Sequence, residues 1–401
     1  MLELEEALRR ILESVQTLTD ESISLSDSHG RFLSEKIISK IDLPGFDNSA
    51  VDGYAVQSKD IISANSTAPV SLHLIGKIPA GEFFTGKIEP GQCTRIFTGS
   101  PLPSGADAVA MQEDTQVNLQ DASRILFLDS VKPWENIRFR GEDIKIDSTL
   151  GEAGERLSAG QLCLLGAVGI DTVRVARRPI VSLLATGSEL REAGLPLGPG
   201  QIYESNRVGL AALAKQIGAI PQIHPLVPDT LDATIAALKR GFDECDAVVT
   251  TGGVSVGELD FVKAAFEKMG GKLDFWKVSI KPGKPFVFGQ LGEKFLFGLP
   301  GNPVSALVTF ILFVAPALAK MHGAKNIAWP TYPAILAEPL ENRGERRHFM
   351  RVFVDEMSKV RLAGTQSSHI LSALAKANGL VEVPPNTVLA SGETVLVWRL
   401  S

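Results

Sequence analysis

The sequence predicts a multidomain α/β protein: a three-layer α/β domain with a β-rich insertion, a small linking domain and a β-rich C-terminal domain. Three observations carry this. Between 178 and about 320, short apolar runs alternate with helical periods. The stretches 44–143 and 329–401 hold only short apolar runs punctuated by Gly and Pro. A chain of 401 residues with 44% apolar content can also bury more than one core.

In the alternating region IVSLLA (180–185) reads as a strand, NRVGLAALAKQIG (206–218) as a helix and PQIHPLV (221–227) as a strand. TLDATIAALKRGF (230–242) follows as a helix, DAVVTT (246–251) as a strand, LDFVKAAFEKM (259–269) as a helix and KLDFWKVSI (272–280) as a strand. Strands joined by helices of this length form βαβ units, so a parallel sheet covered on both faces is expected within 178–328. The segment 44–143 sets runs such as SLHLIG, CTRIF and AVAMQE between GKIPAGEFFTGKIEPG and SPLPSGAD, the pattern of a β-rich insertion. Its flanks, 1–43 and 144–177, are expected to pack together as the linking domain, and 329–401, ending in ETVLVWRL, as a small β domain.

Lys and Arg number 40 against 46 Asp and Glu, a net charge of −6. No global positive field exists to hold nucleic acid or an anionic bilayer, so neither is expected as a partner, and any bound anion must be met by a local cluster. Cys93, Cys163 and Cys245 lie far apart without a C-x-x-C pair, which argues against a zinc site or a secreted disulfide framework. The start of the chain reads as an acidic amphipathic helix, LEEALRRILESV, lacking the positive start and apolar block of a signal peptide. A cytoplasmic location is expected. The longest apolar run, ALVTFILFVA (306–315), is ended by Pro316 and is shorter than the ~20 residues that span a bilayer, so it predicts a buried helix.

In an open α/β sheet, ligands bind beyond the carboxyl ends of the strands, which directs attention to three loops. After IVSLLA comes Thr186-Gly187-Ser188-Glu189; after DAVVTT comes Gly252-Gly253-Val254-Ser255-Val256-Gly257-Glu258-Leu259-Asp260; after the strand through Ile280 comes Lys281-Pro282-Gly283-Lys284-Pro285. The glycine loop suits close approach of backbone N–H groups to a phosphate. It is not a Walker A loop, because Glu258 and Leu259 stand where Lys and Ser/Thr are required. The same residues fit a G-x-S-x-G elbow with Ser255 as a hydrolase nucleophile, and His322, His348 and His369 follow in sequence. A plain tight turn explains the glycines equally well.

Lys277, Lys281 and Lys284 put three cations in eight residues, where two prolines and a glycine preclude a regular helix. A lysine run is usually a solvated face; its place at a strand's carboxyl end favours anion binding. Downstream, Gly298-Leu-Pro300-Gly-Asn302-Pro303-Val-Ser305 supplies an N-cap Asn and a Pro at the first helical position, and so a helix start aimed from the same region. Asp47, Asp52, Glu142, Asp143, Glu189, Asp229 and Asp260 all fall in Gly- or Pro-containing loops. Singly each suits a turn or cap; a phosphoanhydride handled with Mg²⁺ would use one or two of them.

Taken in order, PGFDNSAVDGYAV (44–56), TGSPLP (98–103), RGEDI (140–144), ATGSEL (185–190), TTGGVSVGELD (250–260), KPGKP (281–285) and GLPGNPVS (298–305) closely resemble the molybdopterin molybdenumtransferase family, which includes the bacterial molybdenum insertases and the E domain of gephyrin. The resemblance covers essentially the whole chain and decides against the hydrolase reading. It implies a four-domain elongated homodimer with a barrel-like C-terminal domain. The active site would lie in a cleft where the molybdopterin-binding α/β domain of one subunit faces the insertion of the other. The implied reaction is insertion of molybdate into adenylylated molybdopterin, releasing AMP and molybdenum cofactor; the other activities weighed are a molybdopterin adenylyltransferase and a pterin-binding scaffold. Implied partners are a molybdopterin adenylyltransferase and acceptor molybdoenzymes.

The positions carried over as catalytic are Asp52 and Asp143 on the insertion and Glu189, Asp229, Asp260, Lys277 and Lys281 on the α/β domain. Glu189, Asp229 and Asp260 would hold Mg²⁺. Thr98, Gly252, Gly253, Ser255, Pro300 and Pro303 are expected to bind substrate, with Lys281, Lys284, Ser305, Arg351 and Ser368 around the oxyanion. Ser188 stands where the family pattern admits Asp, which leaves Glu189 but argues against a two-carboxylate role at that turn.

Overall fold

The computed structural model describes residues 1–253 and 261–400. They fall into two compact units, Lys36–Glu152 with Ala159–Asp171, and Met1–Glu35 with Ala153–Ser158 and Thr172–Ser401.

The first unit is built on a six-stranded sheet of β1 (Gly53–Val56), β2 (Val70–Ile78), β3 (Gln92–Ile96), β4 (Ala108–Met111), β5 (Thr115–Val117) and β6 (Arg124–Phe127). Its order is β4-β1-β3-β2-β6-β5, with only β2 and β3 parallel. Alternation sends Tyr54, Val56, Leu72, Cys93, Ile125 and Phe127 into one core and Ala55, Ile78, Ile96 and Val109 into a second. The insertion is β-rich, as its punctuated sequence predicts.

In the second unit, helix α1 (Leu4–Ser14) buries Leu4, Ala7 and Ile11 on one stripe, while Glu6, Arg9 and Glu13 pair on the exposed side. There follow β7 (Ile180–Ala185), α2 (Asn206–Gln216), β8 (Ile220–Ile223), α3 (Leu231–Glu244), β9 (Ala247–Thr251), α4 (Phe261–Lys268), β10 (Lys272–Lys277), β11 (Ile280–Lys281), β12 (Pro285–Leu291) and β13 (Lys294–Leu299). The sheet order is β8-β7-β9-β13-β12-β10. Val181, Leu183, Val249, Phe297 and Leu299 face α1 and α2; Leu184, Val248 and Leu296 face Leu238 and Phe242 of α3 and Val262 and Phe266 of α4. These are the three expected layers.

Two expectations are corrected here. The sheet is mixed rather than parallel, because β12 runs against both β13 and β10. PFVFGQLGEKFLFGL makes a hairpin whose two strands are separated by Gly292 and Glu293, with Gly292 at φ +61°. The strand expected over 272–280 ends at Lys277; Ile280 and Lys281 leave that sheet and pair with Arg347 and His348.

The apolar run lies in a helix spanning Pro303–Met321, and 83% of its most apolar window is buried inside the protein. It does not stop at Pro316. A π-turn, Phe310–Val314, shifts the hydrogen-bond register so that Pro316 enters the following α segment near its start, where its missing N–H costs little. We label the opening of this helix, Pro303–Thr309, α5.

At the C-terminal end, β14 (Thr331–Leu336), β15 (Arg347–Val354), β16 (Lys359–Leu362), β17 (Gly379–Val383) and β18 (Thr394–Arg399) close a five-stranded barrel in the order β15-β16-β14-β18-β17, with β17 returning to β15. Ala334, Met350, Val352, Val360, Val381 and Val397 fill it.

Candidate active site

A cavity of about 610 Å³ opens at the carboxyl ends of β7 and β9, lined by Thr186, Glu189, Glu204, Asn206, Gly252, Asn302, Pro303 and His369 among others. Its floor is a close approach of two loops. Gly252 (φ +83°) and Gly253 (φ +66°) sit against Thr186, and a Cβ on Gly252 would fall 2.5 Å from Thr186 O and one on Gly253 2.7 Å from Thr186 Oγ1. Only glycine allows both the backbone angle and the contact. Thr186 Oγ1 and Asn206 Oδ1 are buried with no hydrogen-bond partner among the described residues, polar atoms such as a bound polar molecule would satisfy. Asn206 is fixed by its Nδ2 donating to Gly301 O at 2.8 Å and its N donating to Glu204 Oε1 at 2.6 Å.

Two expected carboxylates meet at the turn after β7. Ser188 N donates to Asp229 Oδ2 at 2.7 Å and Asp229 N to Ser188 Oγ at 3.1 Å, while the Glu189 carboxylate folds back over Gly187. Such oxygens are the ligands a hard cation takes, so Glu189 and Asp229 fit magnesium in kind. Among the described residues no group of three His, Cys, Asp or Glu side chains is gathered for a metal. Asp260, the third expected carboxylate, and Ser255 lie outside the described residues.

Asn302 takes the N-cap position of α5 with Pro303 following, although the Asn302 side chain makes no capping bond. The helix's Val304 N instead donates to Ser368 O at 3.4 Å. Pro300 and Ser305 are buried here. The lysine loop is seated on the same helix: Gly283 (φ +117°) lies so close that a Cβ would be 2.5 Å from Thr309 Cγ2, and Val278 N donates to Lys284 O at 3.1 Å. Lys281 and Lys284 are exposed and Lys277 is half-buried.

Lys281 stands beside His348 in the β11–β15 pair, and Arg346 Nη1 donates to Ile280 O at 2.8 Å. Burial, then the charges of Lys281, Arg351 and Arg346, push the His348 imidazole down to about 4. The barrel's end near Lys281 is therefore cationic while its histidine is neutral. Arg351, expected at the oxyanion, is not a free cation. It is 1% exposed, and Nη1 donates to Ser367 O and Ile370 O, both at 3.1 Å, and Nη2 to Thr365 O at 2.7 Å. Burial alone pushes its guanidinium below the usual value. What it positions is the loop carrying Ser368 and His369.

On the insertion, Asp52 Oδ1 accepts from both the N and the Oγ1 of Thr98 at 2.8 Å. These two bonds, with the charge of Arg95, hold the Asp52 carboxyl below the usual range. Asp143 lies on a separate exposed turn, its N donating to Leu43 O. The structure thus pairs Asp52 with Thr98 and gathers Glu189, Gly252 and Pro303 around one cavity. Sequence reading missed Thr186, Asn206 and His348 as site residues; only the loop position of Thr186 hinted at one of them, since Asn206 opens helix α2 and His348 lies in strand β15.

Three family models match the chain: "MoeA N-terminal region (domain I and II)" over 2–169, "Probable molybdopterin binding domain" over 182–320 and "MoeA C-terminal region (domain IV)" over 333–400. A molybdopterin molybdenumtransferase of Haemophilus influenzae is 40% identical, covering 99% of this chain and 98% of that protein. One from Bacillus subtilis is 35% identical over 98% and 93%. The crystal structure of a molybdopterin biosynthesis MoeA protein from Pyrococcus horikoshii superposes with a TM-score of 0.84 at 32% identity, covering 99% of both chains. The chain belongs to the molybdopterin molybdenumtransferase family.

Proposed function

We propose that this protein inserts molybdate into adenylylated molybdopterin, releasing AMP and molybdenum cofactor. The observation that carries this is the 610 Å³ cavity at the carboxyl ends of β7 and β9. All of its lining residues but His369 and Leu371 lie in the stretch that matches the molybdopterin-binding model, with orphaned polar atoms in its wall and a lysine loop packed on the same helix.

In this reading the pterin and its diphosphate enter the cavity over Gly252 and Gly253, where the absent Cβ atoms leave backbone N–H groups accessible. Thr186 and Asn206 supply hydrogen bonds, Ser255 follows Gly253 by two residues in the sequence and is a further substrate contact, and Pro300 and Pro303 shape the wall. Glu189, Asp229 and Asp260 would hold magnesium, which would supply charge neutralisation at the phosphoanhydride. Lys277, Lys281 and Lys284 attract the tetrahedral dianion, with Ser305 and Ser368 near the helix start and Arg351 keeping the Ser368 loop in place. Asp52, oriented by Thr98, and Asp143 are the insertion's contribution. The division into 1–43 with 144–177, 44–143, 178–328 and 329–401, a homodimer with a shared cleft, a cytoplasmic setting, and exchange with an adenylyltransferase and acceptor molybdoenzymes belong to the same proposal.

Lys281→Ala tests the oxyanion assignment. Molybdate affinity should fall at least about tenfold while binding of molybdopterin is kept, because one charge-assisted contact is lost. Equal loss of both ligands would remove Lys281 from the oxyanion site.

A further inference from the structure

The insertion carries a second cationic spot, whose only part so far is the charge of Arg95 felt by Asp52. Across three adjacent strands Tyr54 of β1, Arg95 of β3 and Lys77 of β2 stand in one row. A bulge makes the row: Leu74 pairs with Cys93 but Lys77 pairs with Arg95, so three steps along β2 are matched by two along β3. In regular register Gly76 would have stood opposite Arg95. Bulges re-aim side chains at functional edges, and here the extra residue sets one cation beside another.

Like charges on neighbouring strands repel, and the arrangement therefore needs something to offset it. Part of the offset is aromatic. The Arg95 guanidinium lies 5.0 Å from the Tyr54 ring centre and 5.1 Å from that of Phe97, and Lys77 Nζ is also 5.1 Å from the Phe97 ring. Arg95 Nη1 donates to Gly53 O at 3.3 Å and Nη2 to Gln112 Oε1, both neutral acceptors. Among the described residues neither Lys77 nor Arg95 forms an ion pair, in a chain whose net charge is −6. Lys77 is exposed and Arg95 half-buried, and Thr98, which orients Asp52, follows Arg95 by three residues.

We propose that Lys77 and Arg95, held on the Phe97 ring, form a phosphate site that takes the AMP released by the reaction. A planar guanidinium fixed by stacking and a mobile ammonium beside it suit a phosphate monoester. The inference rests on the reading that the substrate is adenylylated and that AMP is released.

The test uses the full chain and four probes, AMP, adenosine, inorganic phosphate and molybdate, titrated calorimetrically into the wild type, Lys77→Ala and Phe97→Leu. The wild type should bind AMP, with affinity falling as salt rises, and adenosine at least about tenfold more weakly. Lys77→Ala and Phe97→Leu should each weaken AMP about tenfold and leave molybdate binding unchanged. Lys77 is exposed, so its removal leaves the sheet folded, which circular dichroism checks. Unchanged AMP affinity in both variants, adenosine binding as tight as AMP, binding of inorganic phosphate but not AMP, or parallel loss of molybdate would each overturn the site. AMP release from adenylylated molybdopterin is measured separately. Its absence alongside Lys77-dependent AMP binding would sink the proposed reaction and leave the phosphate site standing.

Discussion

Two histidines of the α/β-and-barrel unit are buried and held neutral. His322 has no exposed surface, neither ring nitrogen makes a well-formed hydrogen bond among the described residues although the Ile217 backbone lies close enough to favour the charged form, and Phe32 meets it edge-on at 4.9 Å. Burial first, then the charges of Arg31, Arg178 and Arg156, push it down to about 4, the level His348 reaches beside Lys281. The unfolded chain takes up a proton on each as the pH falls through 6.5, the folded chain only near 4. Folding stability is therefore complete above 6.5 and is lost as the pH falls toward 4. For one such group the loss between pH 7 and pH 5 is about 2 kcal/mol. Urea unfolding at the two pH values should show His322→Leu losing about that much less stability than the wild type. The same loss in both proteins would show that His322 titrates normally. Roles of this kind could not be read from sequence, because the buried nitrogens of His322, like the orphaned oxygens of Asn206 and Thr186, are defined by what distant segments fail to offer.

Among the elements, the loop over 365–370 depends on one side chain. Arg351 ties three of its carbonyls to β15, and Ser368 O in turn receives Val304 N at the start of α5. Arg351→Met keeps the bulk but removes the charged donor of three part-buried hydrogen bonds, which should cost on the order of 3 kcal/mol and release the loop. Faster amide hydrogen exchange confined to 365–370 and its neighbours is the expected result; unchanged protection there would deny the clamp. The sequence showed βαβ alternation and a β-rich tail because those depend on local period and punctuation. It did not show that β12 runs antiparallel, since FVFGQL and KFLFGL are buried on both faces and continuous apolar runs carry no direction. Nor did it show Ile280 and Lys281 leaving one sheet for another, a choice made by the barrel strand that receives them.

For the whole molecule, the proposed reaction draws on the α/β cavity, the lysine loop and, from the other unit, Asp52 and Thr98. The seven ordered motifs made the family legible because they recur in one order from 44 to 305, across the insertion and the α/β region, whereas single motifs such as the serine elbow admitted other chemistry. The most direct measurement is AMP release by the purified full chain given adenylylated molybdopterin, Mg²⁺ and molybdate. The account predicts molybdate-dependent release of AMP with no requirement for ATP, and formation of active cofactor in step with it. Release that ignores molybdate, or consumption of ATP to make adenylylated pterin, would contradict it.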